Sequence, residues 1–280
     1  MKFDYTVGNP PYQKATPEGK STSNPKPLWH EFIYSSMKYL KDDKSKLSFV
    51  VPTGWLQANK IGKFVRNHLI EATTKGVSKH FDVGSTFSVI ILSKNPGKTF
   101  KIDGVEYNRK MPYFPKELNE MSMSITKKLQ NSECFVFKGI STFSSFSKKD
   151  KFVNDGKYRV YHTPKITLRT NEKPADYDKT KVMLSTSAPK EFLIDKKFTI
   201  SEVPRYMVID EKYLENSKSI FNSTLYKFFL QTFRICGMLS KTLVMHHIPK
   251  LDLTRSWTDE QIYEHFKLTE DEINYVENNA

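Results

Sequence analysis

The 280-residue chain predicts an α/β fold: a partial doubly wound sheet over residues 1–112, followed by a mixed α+β domain over residues 113–280 that ends in helices. Three observations predict it. Up to about residue 95, short apolar runs alternate with segments of helical periodicity, the pattern of an open sheet covered by helices. Beyond Asn95 the runs shorten, and lysine and aromatic residues become denser. With 38% hydrophobic, 13% aromatic and 27% charged residues, the composition provides a core and argues against disorder.

The elements follow in order. Phe3–Val7 is a short strand that ends at Gly8 and a double proline. Leu28–Lys41 places Leu28, Phe32, Ile33, Met37 and Leu40 on one helical face. Lys46–Pro52 is a buried strand stopped by proline, and a helix is expected from Gly62 to Ala72. Val77–Val83 and Phe87–Lys94 are expected as further strands, and Asn95–Lys98 as a turn. Lys98–Lys110 predicts a hairpin turning at Asp103-Gly104. In the second domain a helix is expected from Leu214 to Phe233, with Leu225, Phe228, Phe229 and Phe233 on its apolar face. Two capping boxes mark the tail: Thr258 with Gln261, stapled by Trp257 on Ile262, and Thr269 with Glu272, flanked by Leu268 and Ile273.

Charge narrows the partners. With 44 basic and 31 acidic residues, the formal charge is +13 and the pI about 9.4. Such an excess suits a polyanion, either nucleic acid or an anionic membrane surface. Aromatic and basic residues interleave from Lys157 to Arg169, which favours nucleic acid, because bases stack on rings while phosphates pair with cations. No apolar run reaches the roughly 18 residues of a membrane span, and the N-terminus lacks the core of a signal peptide. Two cysteines, Cys134 and Cys236, indicate neither a disulfide framework nor a cysteine zinc site. The expected location is therefore cytoplasmic. His246 and His247 are adjacent in sequence and so point apart, and no metal is expected.

The stretch Gly8-Asn9-Pro10-Pro11-Tyr12 carries the chemistry. Each proline fixes its own φ and biases the preceding residue toward extended backbone, so Asn9 and Pro10 form a stiff ledge. The ledge offers the Asn9 side-chain oxygen and the Pro10 carbonyl as two acceptors, with the Tyr12 ring alongside. Two acceptors and an aromatic face suit a planar aromatic amine. In open α/β sheets, sites lie beyond the carboxyl ends of the strands, which is where this corner stands.

Asp4-x-x-x-Gly8-Asn9-Pro10-Pro11-Tyr12 resembles the catalytic motif of S-adenosylmethionine-dependent N6-adenine DNA methyltransferases of restriction–modification systems. Leu47–Leu56 is similar to the next strand and helix start of that family, and Lys79–Lys94 to its later strand pair. The regions from Ser240 to Leu253 and from Trp257 to Phe266 resemble the tail of some members less specifically. The resemblance implies a Rossmann-like methyltransferase sheet followed by a target-recognition domain. It also implies a mechanism. An adenine is flipped out of double-stranded DNA, Asn9 and Pro10 accept from its amine, and Tyr12 stacks on the base. Phe81 covers the other face, with Phe87 as second choice. DNA contacts are expected from Arg159, Lys165, Arg169, Arg205 and Lys241 in the second domain.

One expected part is missing. The family holds S-adenosyl-L-methionine on a glycine-rich turn, yet none of the eleven glycines here stand at Gly-x-Gly spacing, and Gly139, Gly156 and Gly237 stand alone. Three explanations remain open: a separate completing subunit, an upstream domain of a longer enzyme, or an inactive relative that binds DNA. RNA or a protein side chain is a further alternative substrate. An incomplete sheet is expected to expose a strand edge near Phe3–Val7, which calls for a partner.

Overall fold

The computed structural model describes residues 1–13, 27–82, 85–138, 152–201, 203–235 and 237–280. Val83, Gly139 and Cys236 lie outside the described residues. By its contacts the chain divides into two compact units, Met1–Pro112 and Tyr113–Ala280.

The first unit is a six-stranded sheet built from β1 (Tyr5–Gly8), β2 (Lys46–Pro52), β3 (Leu69–Thr73), β4 (Phe87–Leu92), β5 (Thr99–Ile102) and β6 (Val105–Asn108). Its spatial order is β1-β2-β4-β3-β5-β6. β1 pairs parallel with β2, and β3 with β5, whereas β4 runs antiparallel to both β2 and β3. Four of the six strands thus share one direction, with β4 and β6 reversed, so the sheet is mixed. Helix α1 (Trp29–Tyr39) makes the crossover from β1 to β2 and buries Trp29, Ile33 and Met37, one side of its cylinder. β2 buries alternate residues, including Leu47, Phe49 and Val51.

Two expectations in this unit are corrected. Helix α2 (Lys60–His68) stops before Leu69, and residues 69–73 form β3 instead of helix. Ile61, Val65 and Leu69 continue a spacing of four, but the slot between β4 and β5 supplies ladder bonds that hold residues 69–73 extended. The segment expected as a strand from Val77 is a 3₁₀ turn at Ser78–His80. Gly76 enters the left-handed region at φ 76°, and the Ser78 hydroxyl accepts from the Phe87 N–H at 2.8 Å, so the chain crosses the sheet end without joining it. The hairpin forms as its sequence requires: Asp103 and Gly104 both have positive φ, the signature of a type I′ turn.

The second unit combines small sheets with helices. After α3 (Glu120–Gln130), β7 (Cys134–Phe135), the antiparallel hairpin β8 (Tyr158–Thr163) and β9 (Ile166–Thr170), and β10 (Lys181–Leu184) come β11 (Leu193–Asp195), β12 (Phe198–Ile200) and β13 (Arg205–Val208). Tyr161, Met183, Phe198, Ile200 and Tyr206 form a core where these sheets meet. The helix expected over Leu214–Phe233 is two helices, α4 (Leu214–Phe221) and α5 (Thr224–Phe233). Ser223 is extended between them (ψ 159°), and the Asp259 carboxylate accepts both the Thr224 N–H and its hydroxyl, anchoring the new helix start. The expected apolar face of α5 is buried. Then come α6 (Lys241–His246), β14 (Ile248–Pro249), α7 (Asp259–His265) and α8 (Glu270–Asn278). Both capping boxes are present, at Thr258–Gln261 and Thr269–Glu272.

Candidate functional site

The corner follows β1 at the edge where three strand ends meet. Gly8 lies beside Phe49 in the parallel ladder, and Pro52, the last residue of β2, lies opposite Phe87, the first of β4. Here Pro10 is buried, Tyr12 half-buried, and Asn9 and Pro11 exposed. The Tyr12 carbonyl accepts from the Leu28 N–H at 2.9 Å, which fixes the corner to the start of α1. The Pro10 carbonyl accepts no hydrogen bond from the described residues. Asn9 Oδ1, in contrast, is engaged: the Tyr12 phenol donates to it.

Three rings gather on this ledge. Phe81 stacks on Phe87 at 4.3 Å between centroids, Tyr12 lies 4.9 Å from Phe87, and Tyr12 meets Phe81 edge-on at 6.4 Å and 63°. Phe87 is buried and forms the floor, while Phe81 is half-buried at the rim. Burial pushes the Tyr12 phenol above its usual pKa, partly offset by its bond to Asn9. His30, in the first turn of α1, is held down to about 4 by burial, against the opposing pull of Glu31.

A set of residues that sequence reasoning missed braces this end of the sheet. The Thr53 N–H donates to the Thr86 carbonyl at 3.0 Å, and the two hydroxyls also bond to each other. Trp55 Nε1 donates to Ser88 Oγ at 2.8 Å. Arg66, buried in α2, donates to the carbonyls of Trp55, Gln57 and Pro112. Asn59 caps α2 by accepting from the Gly62 N–H at 2.7 Å. Only that cap had a readable signal, an Asn three residues before Gly62.

The excess charge is uneven. Residues 1–112 carry 18 basic and 9 acidic side chains, and residues 113–280 carry 26 and 22. In the second unit Arg159 and Arg169 stand directly opposite each other across the β8–β9 hairpin, and Lys165 is exposed at its turn. Arg159 lies over the Phe198 ring at 3.9 Å and pairs with Asp195 at 3.7 Å, while Arg169 donates to the Gly156 carbonyl. Lys241 is exposed at the start of α6. Arg205 corrects the expectation. It is only 5% exposed and donates to the Pro204 and Val203 carbonyls, and burial lowers its pKa, so its guanidinium serves the protein interior.

Residues 1–86 match the Eco57I restriction-modification methylase family model. The Eco57I model span contains Asn9–Tyr12 and Phe81 and ends one residue before Phe87. No curated protein matches the chain. Among solved structures, similarity extends to the methyltransferase subunit of a type I restriction-modification system from Streptococcus thermophilus, at 21% identity over 34% of this chain and 24% of that one, TM-score 0.26. It extends also to the type IIL restriction-modification enzyme MmeI in complex with DNA, at 10% identity over 88% of this chain and 45% of that one, TM-score 0.42. A DrdV–DNA complex matches at 7% identity over 90% of this chain and 39% of the other, TM-score 0.40. The chain spans less than half the length of each of these. Among the described residues, no helix is long and apolar enough to cross a membrane.

Proposed function

We propose that this chain carries the base-positioning corner of a DNA adenine-N6 methyltransferase of restriction–modification type. The observation that supports it is the gathering of Asn9, Tyr12, Phe81 and Phe87 at one end of the sheet, although some seventy residues separate them in sequence. The match of residues 1–86 to a restriction-modification methylase family adds to it.

The chemistry asked of these residues is orientation. An extruded adenine presents a flat ring and an amine with two N–H donors. Asn9 Oδ1 and the Pro10 carbonyl accept those donors, and their placement draws the nitrogen lone pair out of conjugation with the ring. Tyr12 and Phe81 cover the two faces of the base, and Phe87 supports both rings from below. No proton need be removed before transfer, so no acid–base pair is required at the corner.

The methyl donor that such a corner serves is S-adenosyl-L-methionine, and the described residues do not fit it. No two glycines stand at Gly-x-Gly spacing, and the side chains at the corner are committed to the base. A completing α/β segment, as a subunit or a further domain, supplies that site. β1 is the place for it. It is an edge strand; Tyr5 and Val7 on its one face are 70% and 78% exposed, and Phe3, just before it, is 43% exposed. Double-stranded DNA is contacted in the second unit by Arg159, Lys165, Arg169 and Lys241. The test is Asn9→Ala, assayed with the completing segment present. Methyl transfer to adenine falls by at least about 10²-fold while DNA affinity is retained, and undiminished transfer would remove the mechanism.

The missing donor loop favours a second reading, a methyltransferase-like DNA-binding protein without catalysis. Calorimetry with S-adenosylmethionine decides between them. No donor binding under any pairing, with salt-dependent DNA affinity intact, selects the second.

A further inference from the structure

The acceptor that the substrate amine would use already receives one hydrogen bond. The Tyr12 phenol donates to Asn9 Oδ1, and the Tyr12 ring lies against Phe87 at 4.9 Å. A flat base held between Tyr12 and Phe81 needs two van der Waals contacts of about 3.5–4 Å each, hence rings about 7–8 Å apart with nearly parallel planes. Tyr12 and Phe81 are instead 6.4 Å apart and inclined by 63°. The slot is too narrow and wrongly angled to admit the base as it stands.

We propose that the corner rests in a self-latched state, in which the Tyr12 hydroxyl stands in for the substrate amine on Asn9 and must be displaced before a base can enter. This rests on the adenine reading above and adds a regulatory step to it. Asn9 Oδ1 has two lone pairs, of which the phenol uses one. The closed and base-bound arrangements exclude each other because rings 6.4 Å apart and inclined by 63° leave no parallel slot for a base. Opening is a side-chain event. The Tyr12 main chain is fixed by its carbonyl bond to Leu28 and by Pro11 before it, which leaves rotation about the side-chain bonds. Asn9 is exposed, so water can solvate the released phenol and amide during the exchange. Phe81, half-buried after the 3₁₀ turn, can tilt with Tyr12. Phe87 cannot: it is buried, and its N–H is held by Ser78. The open state is therefore a minor population whose fraction scales the apparent affinity for a base. One net hydrogen bond sets that factor at about 2- to 10-fold.

Tyr12→Phe keeps the ring and removes the latch. With the full chain, anisotropy titration of a single-stranded oligo(dA) is expected to give about 2- to 10-fold tighter binding for Tyr12→Phe than for the parent. Tyr12→Ala, which also loses the stacking face, is expected to bind more weakly than Tyr12→Phe. Equal or weaker binding by Tyr12→Phe overturns the latch. A second readout needs no ligand: the Tyr12 ring resonances in the substrate-free protein shift on Asn9→Ala if the latch exists and stay in place if it does not. Oligo(dT), whose base lacks the amine, separates the two claims. No preference for oligo(dA) over oligo(dT) in the parent would defeat the adenine reading, while the resonance shift would still decide the latch.

Discussion

Arg66 is the strongest handle on how the turn after β2 is held. It is 4% exposed, and its guanidinium donates to Trp55 O at 2.7 Å, Gln57 O at 3.2 Å and Pro112 O at 2.6 Å. Burial lowers its pKa to about 10, so it remains charged at neutral pH. Gly62 makes room for it: a Cβ there would lie 2.4 Å from Gln57 O, 2.5 Å from Trp55 O and 2.8 Å from Arg66 Nη1. Arg66→Met keeps most of the stem and removes every donor. Stranding the buried Trp55 carbonyl costs about 1–3 kcal/mol and the part-buried Gln57 and Pro112 carbonyls less each, and removal of the buried ion returns part of that, so the net loss is about 2–4 kcal/mol. That is a large share of a typical total of about 5–15 kcal/mol. The assay is urea unfolding followed by tryptophan fluorescence, with Trp29 and Trp55 reporting on this unit. Arg66→Lys recovers little, because one ammonium cannot span three carbonyls. A loss below about 1 kcal/mol for Arg66→Met would refute the claim that these three bonds hold the turn after β2.

His30 gives a pH test with a definite sign. Its folded pKa of about 4 lies below the ordinary 6.5, so between those values the unfolded chain binds more protons and stability falls as pH is lowered. Unfolding free energies from urea titrations at pH 7 and pH 5 should differ by about 1–2 kcal/mol, and His30→Gln should flatten that difference. On the β8–β9 hairpin, Arg169→Ala should reduce the salt slope of duplex binding by about one, as loss of a phosphate contact does. Arg205→Ala should instead lower stability and leave that slope unchanged, which the same titrations with an unfolding curve will show.

Much of the local structure was legible because its causes are local. The double proline stiffens Asn9 and Pro10 whatever surrounds them. Asp103-Gly104 needs only its own positive φ values to turn the hairpin. Thr258 and Thr269 cap their helices with residues three positions on. The failures share the opposite cause. Residues 69–73 obey a helical spacing but are claimed by two strands distant in sequence. Ser223 breaks a long amphipathic run because the Asp259 carboxylate, 35 residues on, holds the next helix start at Thr224. Arg205 reads as a surface cation and is buried.

A rigid, acceptor-bearing corner after a strand could be read from residues 8–12 alone, since steric restriction by proline acts within two residues. What faces that corner depends on how the sheet is assembled. Placing β4 antiparallel beside β2 brings Phe87 to Pro52, and the turn held by Ser78 carries Phe81 over it. The Tyr12 phenol then settles on Asn9, among rings it could not meet without that ladder. Packing across seventy residues depends on strand order and direction, which no short stretch of chain encodes.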